Sequence, residues 1–456
     1  METHFNQRQL ADPAIQEAND ILRRCVHCGF CTATCSTYVI LGDERDSPRG
    51  RIYLIKDMLE NDRKASNEVR FHIDRCLSCL SCMTTCPSGV DYMHLVDFAR
   101  VRIEETASRP IKDRLTRRLI QAVIPYPGRF RTALLLALAA KPFKGLLRAV
   151  GLKEIAAMIG MAPVQPLKQA AHASGKTIPS QTGRRIARVA LLSGCAQQVL
   201  RPQTNDAAIR LLTSQGVEVV LPQGEGCCGA LVHHMGREED ARDFARRNII
   251  AWEQAMAEDP LDAILITASG CGTTVKDYGH MLAGDPAFAD RARRISALAK
   301  DITEFLADVV GLGAPAGWSD IRVAYHSACS MQHGQNVNEQ PRRLLRDAGF
   351  SVAEIAEGHI CCGSAGTYNI LQPELATELR ERKLANIAAT KPDCIATGNI
   401  GCITQLAGPD APPIVHTVEL LDWAYGGKCP AEIAHLSGRM RFMSDVFGRK
   451  VEAAVA

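Results

Sequence analysis

Little in this chain points to a catalytic centre of its own. No G-x-G-x-x-G follows a predicted strand, and no Walker loop or nucleophile–base signature occurs. Flavin binding and proton abstraction from a substrate are therefore not expected here. No run approaches the ~18–20 apolar residues needed to cross a bilayer; the best candidate, Ala133 to Ala140, has eight residues and is closed by Lys141. The opening segment METHFNQRQLADPAIQEAND is polar and acidic and lacks the apolar core of a secretory signal. A net charge of +3 over 456 residues excludes a general nucleic-acid-binding field. With 18 cysteines, the chain is far less cysteine-dense than a small secreted disulfide scaffold. Reduced thiols and no signal segment together predict a cytoplasmic protein.

What is present is cysteine in an unusual order. Cys25, Cys28, Cys31 and Cys35 form C-x2-C-x2-C-x3-C, and Cys76, Cys79, Cys82 and Cys86 repeat it, closed by Pro87. This spacing is that of a two-cluster ferredoxin, in which the fourth cysteine of each run ligates the other cluster. One [4Fe-4S] cluster is then expected on Cys25, Cys28, Cys31 and Cys86, and a second on Cys76, Cys79, Cys82 and Cys35. Small or polar neighbours (Gly29, Thr32, Ala33, Ser78, Ser81, Thr84) let the backbone approach the sulfides, and their N–H groups tune reduction potential. Structural zinc favours two separated pairs instead of four thiolates in one tight loop. Ser36 replaces the closing proline in the first run, which alters a turn and no ligand.

Four regions follow. Residues 1–108 read as a helical ferredoxin-like domain, with helices over Gln16–Arg24 and Gly50–Glu60. Residues 109–185 form a basic amphipathic segment and linker. From Arg109 to Lys153 there are eleven basic residues against one acid, Asp113, with leucines interleaved. Such a segment suits docking to a partner or an anionic membrane surface, or is a solvated basic face. The tract 162–185 is rich in Pro, Gly and Ser. Beyond it the chain is duplicated. Cys195, Cys227, Cys228 and Cys271 in residues 186–318 return as Cys329, Cys361, Cys362 and Cys402 in 319–456, the first three at an offset of 134 and the last at 131. Apolar runs (Ile186–Leu192, Val217–Leu221, Ala263–Thr267) alternate with helical stretches (Gln203–Gln215, Arg237–Ala257). This predicts two duplicated α/β units with parallel sheets, their cysteines beyond the strand ends where such sheets hold ligands.

These residues resemble the iron–sulfur subunit of glycolate oxidase (glycolate dehydrogenase). The strings CVHCGFCTATC, GDERDSPRGRIYLIK, DRCLSCLSCMTTCPSGV, TASGCG, CCGSAGTY and TGNIGC carry the resemblance over nearly the whole chain. It implies an electron-transfer subunit of a flavoprotein complex that oxidises glycolate to glyoxylate. FAD would lie only on partner subunits, and the acceptor would be a quinone. The complex would be cytoplasmic or peripheral on the inner face of the membrane. The equivalent subunit of a glycerol 3-phosphate or lactate dehydrogenase is the neighbouring alternative. The duplicated Cys-Cys-Gly units also resemble heterodisulfide reductase, whose pattern ends in C-x-x-C. Here Thr274 and Gln405 stand where that last cysteine would be, which counts against disulfide-reductase catalysis.

The eight cysteines of the repeats remain open among one or two further clusters, a redox thiol pair and buried structural residues. His326 precedes Cys329 by three residues where the first repeat has Leu192, so it reads as lying outside the duplicated site. His233 and His234 read as tuning groups or ligands, and His27 as a modulator of potential. Cys394 and Cys429 fall outside the pattern and are assigned to packing.

Overall fold

The computed structural model describes residues 1–149 and 169–442. The end of the basic stretch, including Lys153, the start of the predicted linker and the last residues of the second repeat lie outside them.

The N-terminal region is helical in part because its sequence supplies caps at the starts of its four longest helices. Asp12, Ser47, Ser66 and Asp91 accept backbone N–H groups at the heads of helices Pro13–Arg24, Pro48–Glu60, Asn67–Asp74 and Tyr92–Thr106. Pro13 and Pro48 occupy first turns, where a missing N–H costs nothing. The helices close over Leu22, Ile55, Ile73, Leu95 and Ile103, all fully buried.

Two further helices, Ile111–Val123 and Pro127–Ala140, cross from this region towards the first repeat. The first is two-faced. Ile120 enters the core beneath the first repeat, while Ile111, Leu115 and Leu119 face solvent. Arg117 departs from the outward basic set expected of it: it is buried and paired with Asp113 at 2.9 Å and Asp74 at 3.3 Å.

The strands are β1 (Lys176–Ile178), β2 (Ala187–Leu191), β3 (Val217–Leu221), β4 (Ala263–Ile266), β5 (Ala299–Asp301), β6 (Gly317–Ser319), β7 (Arg322–Tyr325), β8 (Ser351–Ala353), β9 (Cys394–Thr397), β10 (Ile414–His416) and β11 (Met440–Phe442). Among the described residues the first repeat forms the sheet β1-β3-β2-β4-β5 and the second forms β10-β9-β7-β8. Apart from β1, which runs antiparallel to β3, all pairings in these two sheets are parallel. Strand for strand, β3-β2-β4-β5 and β8-β7-β9-β10 share one order, as duplication requires. Within the tract read as linker, Lys176–Ile178 is therefore a strand, registered Thr177 to Val220. β6 and β11 pair separately.

The repeats pack reciprocally. Helix Pro202–Ser214, after β2, lies on Thr417–Ala424, after β10. Helix Glu339–Asp347, after β7, lies on Ile302–Phe305 and the π-helical turn Leu306–Val310, after β5. One apolar core accordingly runs through both repeats, joining Val189, Leu191 and Val219 to Val323, Val415 and Trp423. Cys394 is fully buried in it.

Candidate metal centres

Each N-terminal cysteine run curls the same way. In the first, His27 and Gly29 have φ of 56° and 85°; in the second, Ser78 and Leu80 at the same places have 48° and 61°. Left-handed residues between successive cysteines wrap the backbone into a shallow bowl with thiols on its inner side. Leu80 holds this conformation without glycine's freedom, a local strain that the surrounding packing sustains. Short helices Phe30–Ala33 and Ser81–Thr85 carry the third cysteine of each run, and the fourth lies at a helix boundary. One hollow is lined by Cys25, Cys28 and Cys31 together with Cys82 and Cys86. Cys86, from the second run, is thus beside the first three.

The second predicted ligand set is buried against a charged network. The Thr37 hydroxyl lies 3.3 Å from the Cys35 sulfur and Arg51 Nη1 lies 3.9 Å from it. Arg51 is 1% exposed and bonds Asp46 Oδ1 at 3.2 Å, while Asp46 also meets Arg75 at 2.9 Å and His72 at 3.0 Å. Gly50 is required here, because a Cβ at that position would meet the Glu44 carbonyl oxygen at 2.0 Å. Tyr92 donates to the Cys76 sulfur at 3.6 Å, and Arg100 donates to the Cys76 carbonyl at 2.8 Å. Burial pushes the Cys31 thiol up to about 11 and the Cys79 and Cys82 thiols higher still. Metal binding at these three thiols must therefore release their protons.

The two centres differ in exposure. Cys28 is exposed, with Val26 and Phe30 at 67% and 61% beside it. Cys79 instead packs with Leu77, Ile360, Cys361 and Cys329 in one apolar cluster. The Cys361 N–H donates to Ser36 Oγ at 3.1 Å, and Thr84 Oγ1 lies 2.7 Å from His333 Nδ1. The second cysteine run therefore abuts the second repeat.

In both repeats the four duplicated cysteines converge beyond the strand ends. Gly229 and Gly363, with φ of 89° and 90°, end the Cys-Cys pairs and press against Ala241 and Ala376 of the following helices. Their N–H groups donate to Cys227 and Cys361 sulfurs at 3.4 Å in each case.

In the second repeat Cys329 and Cys361 sulfurs are 3.8 Å apart, and Cys362 and Cys402 sulfurs 3.4 Å. A ring nitrogen of His326 and the sulfurs of Cys362 and Cys402 all lie within 4.8 Å of one another. His326, set aside on sequence grounds because the first repeat has Leu192, therefore belongs to this site. The single-copy rule misses it because a ligand can be added to one copy after duplication. A hydrogen bond from Cys362, aided by His326, lowers the Cys402 thiol to about 5; Cys361 is lowered by hydrogen bonds from Cys329 and Cys362.

In the first repeat, Cys195, Cys227 and Cys228 are all raised, each beside another thiol in the chain Cys195–Cys227–Cys228–Cys271. Asn248 and Tyr278 bond the Cys227 and Cys228 carbonyls at 3.0 and 2.8 Å. His233 and His234 turn away from these cysteines to Asp97, at 3.3 and 3.9 Å. Cys429 bonds its sulfur to the Pro430 carbonyl at 3.6 Å.

Residues 24–90 match the 4Fe-4S dicluster domain family, and residues 189–276 and 323–407 match the cysteine-rich (CCG) domain family. The chain is 41% identical over 424 residues to the "Glycolate oxidase iron-sulfur subunit" of Escherichia coli, covering 93% of this chain and 99% of that protein. It is 31% identical to the "Probable glycolate oxidase iron-sulfur subunit" of Bacillus subtilis, over 84% of this chain and 88% of that one. "Lactate utilization protein A" of Bacillus licheniformis is 25% identical over 48% of this chain and 91% of its own length. Among solved structures, a hypothetical protein from Helicobacter pylori shares the fold at 10% identity and a TM-score of 0.51, over 93% of this chain and 76% of that one.

Proposed function

The chain belongs to the glycolate oxidase iron–sulfur subunit family, and from that premise we propose that it carries electrons from a flavin-bearing partner, reduced by glycolate, to an acceptor of the quinone class. The observation that carries this reading is the pair of matching cysteine bowls, one opening to the surface and one buried against the second repeat. Cys25, Cys28, Cys31 and Cys86 are the ligands of the outer [4Fe-4S] cluster; Cys76, Cys79, Cys82 and Cys35 are those of the inner one. Such clusters supply one-electron redox chemistry without bond breaking. The chain's own residues orient and tune it. The left-handed loops aim N–H groups inward, and Arg51, Tyr92 and Arg100 place positive or donor groups beside the inner thiolates, which favours a reduced, more negative site.

The partner docks where Cys28, Val26 and Phe30 are exposed, because electron transfer requires close approach and these apolar side chains offer a dry contact. Oxidation of glycolate takes place on that partner, since the motifs for flavin binding are absent from this sequence. The outward face of helix Ile111–Val123, with Ile111, Leu115 and Leu119 beside Arg114 and Arg118, has the chemistry of a surface that rests on anionic lipid. No helix among the described residues is long and apolar enough to span a membrane.

The test is the complex purified with its flavin partner and given glycolate. Cys79→Ser is expected to leave the flavin reducible by substrate and to abolish reduction of the acceptor. Parental turnover in that variant would refute the path.

A further inference from the structure

The duplicated repeats present equivalent thiols in opposite electrostatic settings. Three residues before the lone cysteine, the first repeat has Leu192 and the second His326. Two residues before the Cys-Cys pair, the first has Glu225 and the second His359. Three residues before the last cysteine, Ala268 is matched by Asn399, whose side-chain N–H donates to the Cys402 sulfur at 3.5 Å. The helices behind the pairs align through Ala241 and Ala376, the residues on which Gly229 and Gly363 press. Seven residues further on, the first repeat has neutral Asn248 and the second has Lys383.

Lys383 is 1% exposed, and its one hydrogen bond among the described residues goes to the Glu357 carbonyl oxygen at 2.8 Å. It lies within electrostatic reach of Cys362, Cys361 and Cys329. A buried ammonium is costly without an anion, and the nearby Glu357 carboxylate bonds Arg382 and Asn386, leaving Lys383 only the backbone carbonyl as a hydrogen-bond partner among the described residues. His326 is 3% exposed, and its Nε2 is sealed from solvent without a hydrogen-bond partner. A buried cation and an orphaned imidazole nitrogen around four converging thiols fit an anionic, thiolate-ligated metal centre. In the first repeat the orphaned imidazole nitrogens, Nδ1 of His233 and of His234, belong to rings set against Asp97 instead of the thiols, and its Glu225 carboxyl is satisfied by Ser193 N–H at 2.9 Å and Trp252 Nε1 at 3.3 Å.

We propose that the second repeat alone holds a third iron–sulfur centre, on Cys329, Cys361, Cys362 and Cys402 with His326 as an added donor and Lys383 as its buried counter-ion. This rests on the electron-transfer reading above and extends it. Because Cys79 shares an apolar cluster with Cys361 and Cys329, the centre stands next after the inner ferredoxin cluster. One electron leaves the reduced Cys76–Cys79–Cys82–Cys35 centre, which is oxidised, and the second-repeat centre is reduced. No proton or group is transferred, and the partner's flavin is the source of electrons.

The full chain is purified and reconstituted anaerobically with iron and sulfide, then assayed for iron, zinc and acid-labile sulfide and examined by EPR after reduction. The expected result is about four irons beyond the roughly eight of two cubanes. Cys362→Ala and Cys402→Ser each remove that excess, and Cys228→Ala and Cys271→Ser do not. His326→Leu and Lys383→Asn install first-repeat residues and keep the N-terminal signals as an internal check on folding. His326→Leu should change the EPR signature of the extra centre, and Lys383→Asn should make its potential more negative because a nearby positive charge is lost.

A parent with no more than the two-cubane iron overturns the proposal. So does iron lost through Cys228 or Cys271, zinc in place of iron, or indifference of the extra centre to both His326→Leu and Lys383→Asn. Failure of the electron path itself would appear differently, as acceptor turnover that survives Cys79→Ser while the iron counts stand.

Discussion

The two repeats are one fold used twice, and the difference between them lies in what they touch. The first is held to the N-terminal helices by charge: His94 bridges Asp91 at 2.7 Å and Asp277 at 3.0 Å and stacks on His280, with ring centroids 3.5 Å apart. The second is held by the cluster loop itself, through Leu77, Cys79 and the contact of Ser36 with Cys361. Duplication supplies two equal frames, and the inner cysteine run packs on the second of them. The copy nearest the inner bowl has the buried cation and the extra imidazole, whereas the other is sealed by Asn248, Tyr278 and Trp252.

The sharpest way to break this comparison is to remove its common hub. Cys79→Ser should abolish acceptor reduction and cost about four irons, whereas Cys227→Ser in the first repeat should leave turnover near parental. Equal losses from both would erase the distinction between the copies.

A second contrast concerns the paired glycines. Both hold left-handed backbone, but a Cβ on Gly363 would meet the Ala376 carbonyl oxygen at 2.6 Å, against 3.0 Å from Gly229 to Ala241. Backbone strain and overpacking together give about 3–4 kcal/mol for Gly363→Ala and roughly 2 kcal/mol for Gly229→Ala. Denaturant melts of the two variants read the order, and the reverse order would show that the first repeat is the more tightly closed.

pH probes the charged junction of the first repeat. Burial lowers His94, but hydrogen bonds to Asp277 and Asp91 outweigh it and hold the ring up at about 10. With the folded value above the ordinary 6.5, the junction contributes fully below about pH 6.5 and loses its contribution as pH climbs towards 10. The loss is on the order of 2 kcal/mol once partial exposure is discounted. His94→Gln should flatten that part of the stability profile, and an unchanged profile would remove His94 from the junction.

The smallest stability effect is expected on helix Ile111–Val123, which precedes the first repeat and packs into its core through Ile120. Leu119→Ser should change stability by less than about 0.5 kcal/mol yet weaken binding to vesicles containing anionic lipid, whereas Ile120→Ala on the inner face should cost about 2–4 kcal/mol. Vesicle binding unaffected by Leu115→Ser and Leu119→Ser together would leave this face merely solvated.

Much of this was legible before any coordinates. Cysteine spacing is local, and a short loop has few ways to present thiolates every third residue, so both bowls follow from sequence. The strands β2, β3 and β4 were readable because parallel strands buried on both faces are continuous apolar runs: every residue of β2 is buried. The helices read over Gln16–Arg24 and Gly50–Glu60 exist but begin earlier, at Pro13 and Pro48, where Asp12 and Ser47 cap them. β1 was missed because an edge strand of three residues in a Pro/Gly/Ser-rich tract is imposed by its partner β3 and carries little pattern of its own. Arg117 was misread because helical periodicity shows that one face is polar and cannot show that two acids meet it there.

The sequence by itself determined that the cysteines fall into two matching runs and that the α/β unit occurs twice, since both rest on spacing along the chain. Only tertiary structure decided which copy lies against the inner ferredoxin loop, that His326 meets Cys362 and Cys402, and that Lys383 is buried in the same repeat. The loop contact joins residues hundreds of positions apart and the others tens, and their energies depend on burial, which no local pattern encodes.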